Sequence, residues 1–174
     1  MDYKTIVIWM CFPLILSGCA TLKDVIPLWQ SHGVKQLDEP KTVWKEYNCQ
    51  NENLPLVRIE SNELSPTRLE PKKKMECNHR FIYGLCSEIQ SRIIFGQLHT
   101  RIYHRGKMII DDVEENYSLQ PGRWRVDTLI VVPKHAETGV YTLETEFIGP
   151  DSEFSSQSAG FKINNTFIVE PEEE

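Results

Sequence analysis

From Leu54 to Val169 apolar and polar residues alternate in short runs. Met75, Cys77, His79, Phe81, Tyr83 and Leu85 share one parity, and Glu76, Asn78 and Arg80 take the other. A period of two sends successive side chains to opposite faces of an extended chain, so this stretch predicts a half-buried strand. Val140–Ile148 repeats the pattern, with Tyr141, Leu143, Thr145 and Phe147 facing inward. Trp124, Val126, Thr128, Ile130 and Val132 form a third such face. Leu129 and Val131 opposite them predict a strand covered on both sides. Leu54–Ile59, Arg92–Phe95, Gln97–Tyr103, Lys107–Ile110 and Phe161–Val169 are further β-rich runs.

Turn residues separate these runs. Ser65-Pro66, Glu70-Pro71 and Gln120-Pro121-Gly122-Arg123 break the pattern, and Arg105-Gly106 predicts a tight hairpin, because Gly accepts positive φ. About eight short strands at 8–12-residue spacing, with no long helical period, predict an all-β antiparallel sandwich or barrel over 54–169. The acidic stretch Asp111-Asp112 and Glu114-Glu115 reads as a solvated loop, as does Lys72–Lys74, and Glu170–Glu174 as an acidic tail.

The N-terminus differs in kind. Lys4 precedes an unbroken apolar run of eleven residues, Ile6–Leu16. A membrane-spanning helix needs about 20, and the length and flanks of this run fit the apolar core of a signal peptide. It ends in Leu16-Ser17-Gly18-Cys19, which resembles the lipobox of bacterial lipoproteins. The resemblance implies cleavage before Cys19 and acylation of its sulfur, with 1–18 as the signal peptide. The alternative is ordinary secretion, with Cys19 a plain thiol. Ala20, where an inner-membrane retention signal would place aspartate, leans toward the outer membrane, periplasmic side, of a Gram-negative source. Residues 19–53 then read as the lipidated N-terminus and an irregular tether, punctuated by Pro27, Gly33 and Pro40. Trp29, Trp44 and Tyr47 suggest that its later part packs onto the domain edge.

A second resemblance is local. Ala136-Glu137-Thr138-Gly139-Val140-Tyr141 is similar to the E–F corner of immunoglobulin-like and fibronectin-type domains, where a strand-opening tyrosine bonds back across the corner. It implies a single immunoglobulin-like β-sandwich of seven to eight strands. Leu143 holds the position of the second antibody-type cysteine, so the inter-sheet disulfide is not implied. A transthyretin-like sandwich is the alternative.

Charge adds a constraint. The 174 residues carry 19 basic and 25 acidic side chains, net −6. Removal of 1–18, which hold only Asp2 and Lys4, leaves the net charge unchanged. An acidic body argues against a nucleic-acid partner, because backbone phosphates call for a basic surface. It also keeps the domain off anionic headgroups, so the acyl chains alone would hold it to the membrane, at about 0.8 kcal/mol per buried methylene.

Cys49, Cys77 and Cys86 remain in the body. An exported compartment permits disulfides, and an odd count leaves one thiol free. Nine positions along one strand span about 30 Å, so Cys77 and Cys86 pair only if that strand breaks. Cys49–Cys86 is the favoured bridge, with Cys49–Cys77 or no bridge as the alternatives. Cys77 and His79 share a face and invite a metal reading, with His99, His104 and Cys86 as further donors. No paired Cys-x-x-Cys or His-x-x-x-His spacing supports it, and no cofactor is expected. His104 and His135 read as solvated, and Trp124 as core.

No nucleophile elbow, phosphate loop, dinucleotide fingerprint or His-Glu-x-x-His occurs. The leading expectation is therefore a non-enzymatic, membrane-anchored envelope lipoprotein that binds a protein partner as an accessory or scaffold module. The alternatives are a carbohydrate- or peptidoglycan-binding module, with Tyr103 and Tyr117 as stacking platforms, and a hydrolase with an unrecognised pair of carboxylates.

Overall fold

A computed structural model describes residues 29–70, 75–133, 135–149 and 160–171. Leu16-Ser17-Gly18-Cys19 and the apolar run before it lie outside these residues, as do Lys72–Lys74 and most of the 149–158 loop.

The described chain is all-β. Nine strands, β1 (Trp29–Asp38), β2 (Leu56–Ser65), β3 (Arg68–Leu69), β4 (Glu76–Cys86), β5 (Ile94–His104), β6 (Lys107–Leu119), β7 (Gly122–Val131), β8 (Gly139–Ile148) and β9 (Gly160–Val169), are joined by one short helix, α1 (Pro40–Glu46). They form two sheets, ordered β1-β7-β4-β2 and β3-β9-β8-β5-β6. All pairs are antiparallel except β3 with β9.

The period-two faces read from the sequence are the inner faces. Cys77, His79, Phe81, Tyr83 and Leu85 of β4 are buried, as are Tyr141, Leu143, Thr145 and Phe147 of β8. Trp124 is half-buried against the core, and its indole N–H donates to the Pro121 carbonyl at 2.9 Å. The β5–β6 hairpin turns on Arg105 and Gly106, both at positive φ.

Two expectations are corrected. The stretch 29–53, expected to be an irregular tether, holds β1, α1 and a 3-10 turn at Cys49–Asn51. β1 pairs with β7 through two register shifts, between Ser31 and Gly33 and between Gln36 and Asp38. Each shift flips the facing parity, so no alternation is visible in the sequence. The acidic run Asp111–Glu115, expected as a loop, lies within β6. Cross-strand partners stabilise it there: Arg101 and His99 of β5 reach Asp111 at 3.3 and 3.2 Å, and Gln97 donates to Glu115 at 2.8 Å.

The N-terminal segment is bound to the outer face of the first sheet. Val43, Tyr47, Cys49 and Cys86 form a small apolar cluster there. Gly84 permits it, because a Cβ at that position would come within 2.7 Å of the Tyr47 ring. Glu60 is the extra residue at the β2 bulge, and the bulge turns its carboxylate to the same face. Arg123 binds Glu60 at 2.7 Å, Glu46 at 2.8 Å, and Asp38, so one guanidinium joins β7 to β1, α1 and β2.

Candidate functional site

The interior divides into two apolar clusters, one toward each end of the sandwich. Cys77, Ile130, Ile102 and Leu143 belong to one, and Phe81, Val126, Leu98 and Phe147 to the other. Between them runs a polar row. In the first sheet His79 stands directly opposite Thr128. In the second, Thr145 stands opposite Thr100, and Thr100 opposite Asp112. Thr145, Thr100, Thr128 and His79 are all buried.

One side of this row is closed. β2 lies against β9, and the Asn62 carboxamide oxygen accepts from Asn165 at 2.7 Å and lies 2.9 Å from His79 Nε2. Burial pushes the His79 imidazole down to about 4, so the ring is neutral and donates to Asn62. Thr145 Oγ1 has no hydrogen-bond partner among the described residues.

The other side is bounded by edges. β1 and β6 are the terminal strands of their sheets there. Ile110, Asp112 and Glu114 stand opposite Ile102, Thr100 and Leu98, which are buried. Directly opposed residues share a face, so Asp112 and Glu114 are on the core-facing side of the edge strand. Neither has an ion-pair partner among the described residues. Partial burial, and then the charge of Asp112, raise the Glu114 carboxyl above its usual range. Across the gap Val34 pairs with Val126, whose side chain is buried, yet Val34 itself is 49% exposed. By sheet order and register the mouth between these edges thus has a half-exposed apolar residue on β1 and, on β6, two carboxylates without an ion-pair partner among the described residues.

The outer face of the second sheet is charged but internally paired. Arg101 binds Asp111 and Glu144, and Lys162 binds Glu144 at 3.1 Å. Partial burial pushes the Glu144 carboxyl up, but hydrogen bonds from Arg101 and Lys162 outweigh it and hold it below the usual range.

The sequence candidates are distributed as follows. Cys19 lies outside the described residues. Cys49 and Cys86 are joined in a disulfide, with Cα atoms 6.2 Å apart, and Cys77 is a free, buried thiol, pushed up to about 12 by burial. Tyr103 and Tyr117 are not brought together. Tyr103 is half-buried on the outer face, where its hydroxyl donates to Glu144 at 3.4 Å. Tyr117 packs inward against Phe147, ring centroids 6.1 Å apart. Tyr117 stands opposite Gly96 and Tyr103 opposite Met108, seven positions apart on β5. A coplanar stacking platform from this pair is therefore corrected: the two rings occupy opposite faces of one sheet. His104, expected to be solvated, stacks on Tyr141 at 4.3 Å. No group of three or more potential metal-ligating side chains gathers among the described residues.

Sequence reasoning read Asp112 and Glu114 only as part of a solvated acidic loop and did not bring them together with Val34. Their meeting depends on strand register and sheet order, and the only local signal was the acidic run itself.

No protein-family model and no curated protein matches the chain. Among solved structures it is similar to the sporulation control protein of Bacillus subtilis, at 10% identity and a TM-score of 0.42, over 66% of this chain and 49% of that one. It is also similar to an alkylpurine DNA glycosylase of Pseudomonas fluorescens bound to DNA, at 9% identity and 0.42, over 74% and 33%. A family 123 glycoside hydrolase of Clostridium perfringens matches at 12% and 0.39, over 82% and 27%. The chain spans half or less of the length of each, and none of the three assigns it a function.

Proposed function

We propose that the protein is a membrane-anchored cell-envelope lipoprotein whose domain is an immunoglobulin-like sandwich that binds a protein partner and catalyses no reaction. The observation that carries the binding role is the open side of the sandwich. β6 pairs with β5 alone among the described residues, and its other edge borders a mouth with unmatched charge and uncovered apolar surface. An unpaired edge is a template for a further strand.

Two features support the immunoglobulin-like reading. With β2, β4 and β7 as strands A, B and E, and β5, β6, β8 and β9 as C, C′, F and G, the orders A-B-E and G-F-C-C′ follow the arrangement of that class, and β1 takes the place beside E. The Tyr141 hydroxyl donates to the Glu137 carbonyl at 2.7 Å, at the opening of strand F.

Cys19 supports the anchor through its motif. Trp29 follows it by ten residues and pairs with Ile130 near the end of β7.

The test is metabolic labelling with a fatty-acid analogue, followed by affinity capture from solubilised envelopes. Wild type is expected to label and to bring down one envelope protein in stoichiometric amount, and Cys19→Ala to lose the label. Equal labelling of both chains, or no specific protein with either, overturns the reading.

A further inference from the structure

We infer that β6 receives an extended partner segment with lysine or arginine at its core-facing positions and apolar residues between them. This rests on the binding role proposed above and adds the chemistry of what is bound. Three independent features converge on it. The first is the edge of β6 that no strand pairs among the described residues, regular from Ile110 to Glu114 between two register shifts. The second is the pair Asp112 and Glu114, at core-facing register positions, half-buried and exposed respectively, and without an ion-pair partner among the described residues. They differ from their neighbours Asp111 and Glu115, which are matched by Arg101, His99 and Gln97 on β5. The third is Val34, on the opposite lip, at a core-facing register position but half uncovered.

A strand added at β6 continues the second sheet by one position and closes the mouth. Its core-facing side chains fall beside Asp112, half-buried, and Glu114, exposed, where ammonium or guanidinium groups complement the two carboxylates. The methylene stems of those same residues then cover Val34 and Ile110. An acidic or uncharged strand leaves the two carboxylates unmatched. A second copy of this chain is the wrong occupant, because antiparallel β6–β6 pairing sets Asp111–Glu115 against itself, and like charges directly opposed across a ladder are destabilising. A glycan surface is also a poor fit, since it supplies neither cations nor main-chain donors in register.

The test uses the full mature chain and two synthetic octapeptides, one alternating lysine and valine and one alternating glutamate and valine. A third peptide repeats the lysine sequence with alternate backbone nitrogens methylated, which removes the donors of strand addition and keeps the charge. The lysine peptide is expected to bind and to broaden or shift the amide resonances of Ile110–Glu114. Its affinity should fall at least tenfold in D112N/E114Q, a pair of near-isosteric changes whose folding is verified by thermal unfolding. It should stay unchanged in E39Q/E88Q, which removes the same charge elsewhere. The methylated peptide should fail to bind. Binding that is equal in D112N/E114Q and wild type, equal with the methylated peptide, or absent with the lysine peptide overturns the inference.

A photocrosslinking residue at Val113 in cells separates this inference from the reading beneath it. Capture of a segment with alternating lysine or arginine supports the inference. Capture of an acidic segment or of another copy of this chain overturns it. A protein neighbour found only elsewhere on the domain also overturns the inference and leaves the binding role standing. The absence of any protein neighbour overturns both.

Discussion

Cys49 is bonded to Cys86, and the bond ties the segment between the proposed anchor and the domain to the last residue of β4. The two are 37 positions apart in sequence. A cross-link over a loop of that length restricts the unfolded chain by about 3–4 kcal/mol. Paired Cys49→Ala and Cys86→Ala changes should lower stability in urea by about that much, and either single change by a similar amount.

The second tie is Arg123. Its guanidinium is 16% exposed and faces Asp38, Glu46 and Glu60. Arg123→Met removes the cation that faces these three carboxylates among the described residues and should cost about 2–3 kcal/mol, between the values for exposed and buried pairs. Hydrogen exchange should rise first in β1 and α1, and only later in β8 and β9. A uniform rise would show that Arg123 serves the whole fold and not this segment.

Gly84 makes room for Tyr47. Gly84→Ala pushes a methyl into the ring and should cost about 1–3 kcal/mol. The same change on a Tyr47→Ala background should cost less, because the obstructed group is gone. The double-mutant cycle reads that coupling, expected at about 1 kcal/mol. Full additivity would mean that the glycine matters through its backbone alone.

His79 gives the fold a pH dependence of definite sign. Its imidazole titrates at about 4 when folded against 6.5 for the free group. Between those values the unfolded chain binds more protons, so stability rises with pH there. The contribution is complete above about pH 6.5 and is lost as pH falls toward 4, about 3 kcal/mol in all. His79→Gln, which keeps a donor for Asn62, should flatten this part of the pH–stability curve relative to wild type. An unchanged slope between pH 4 and 6.5 would place the effect on the carboxylates instead.

The legible parts of the sequence are those where local pattern and tertiary environment agree. β4 and β8 were readable because alternate residues meet a core on one face only. The Arg105-Gly106 turn was readable because the chain must take positive φ twice within two residues. Tyr141 was readable because its hydroxyl satisfies a carbonyl only four residues back. β1 was not readable, since two register shifts in ten residues erase its period. Asp111–Glu115 was misread because four carboxylates in five residues suggest solvent. Their place in a strand depends on Arg101, His99 and Gln97, whose alignment with them is a matter of register. The mouth formed by Val34, Asp112 and Glu114 was illegible for the same reason: it joins the edges of two sheets about 75 residues apart in the chain.

The account is tested most directly by amine-reactive crosslinking in intact cells, read by mass spectrometry. Lys107 begins β6 and Lys35 lies on β1, so both flank the open side. The account predicts links from these lysines to one envelope protein, reproducibly enriched over the labelled background and lost with D112N/E114Q. An otherwise folded, membrane-bound protein whose lysines return no specific neighbour would contradict it.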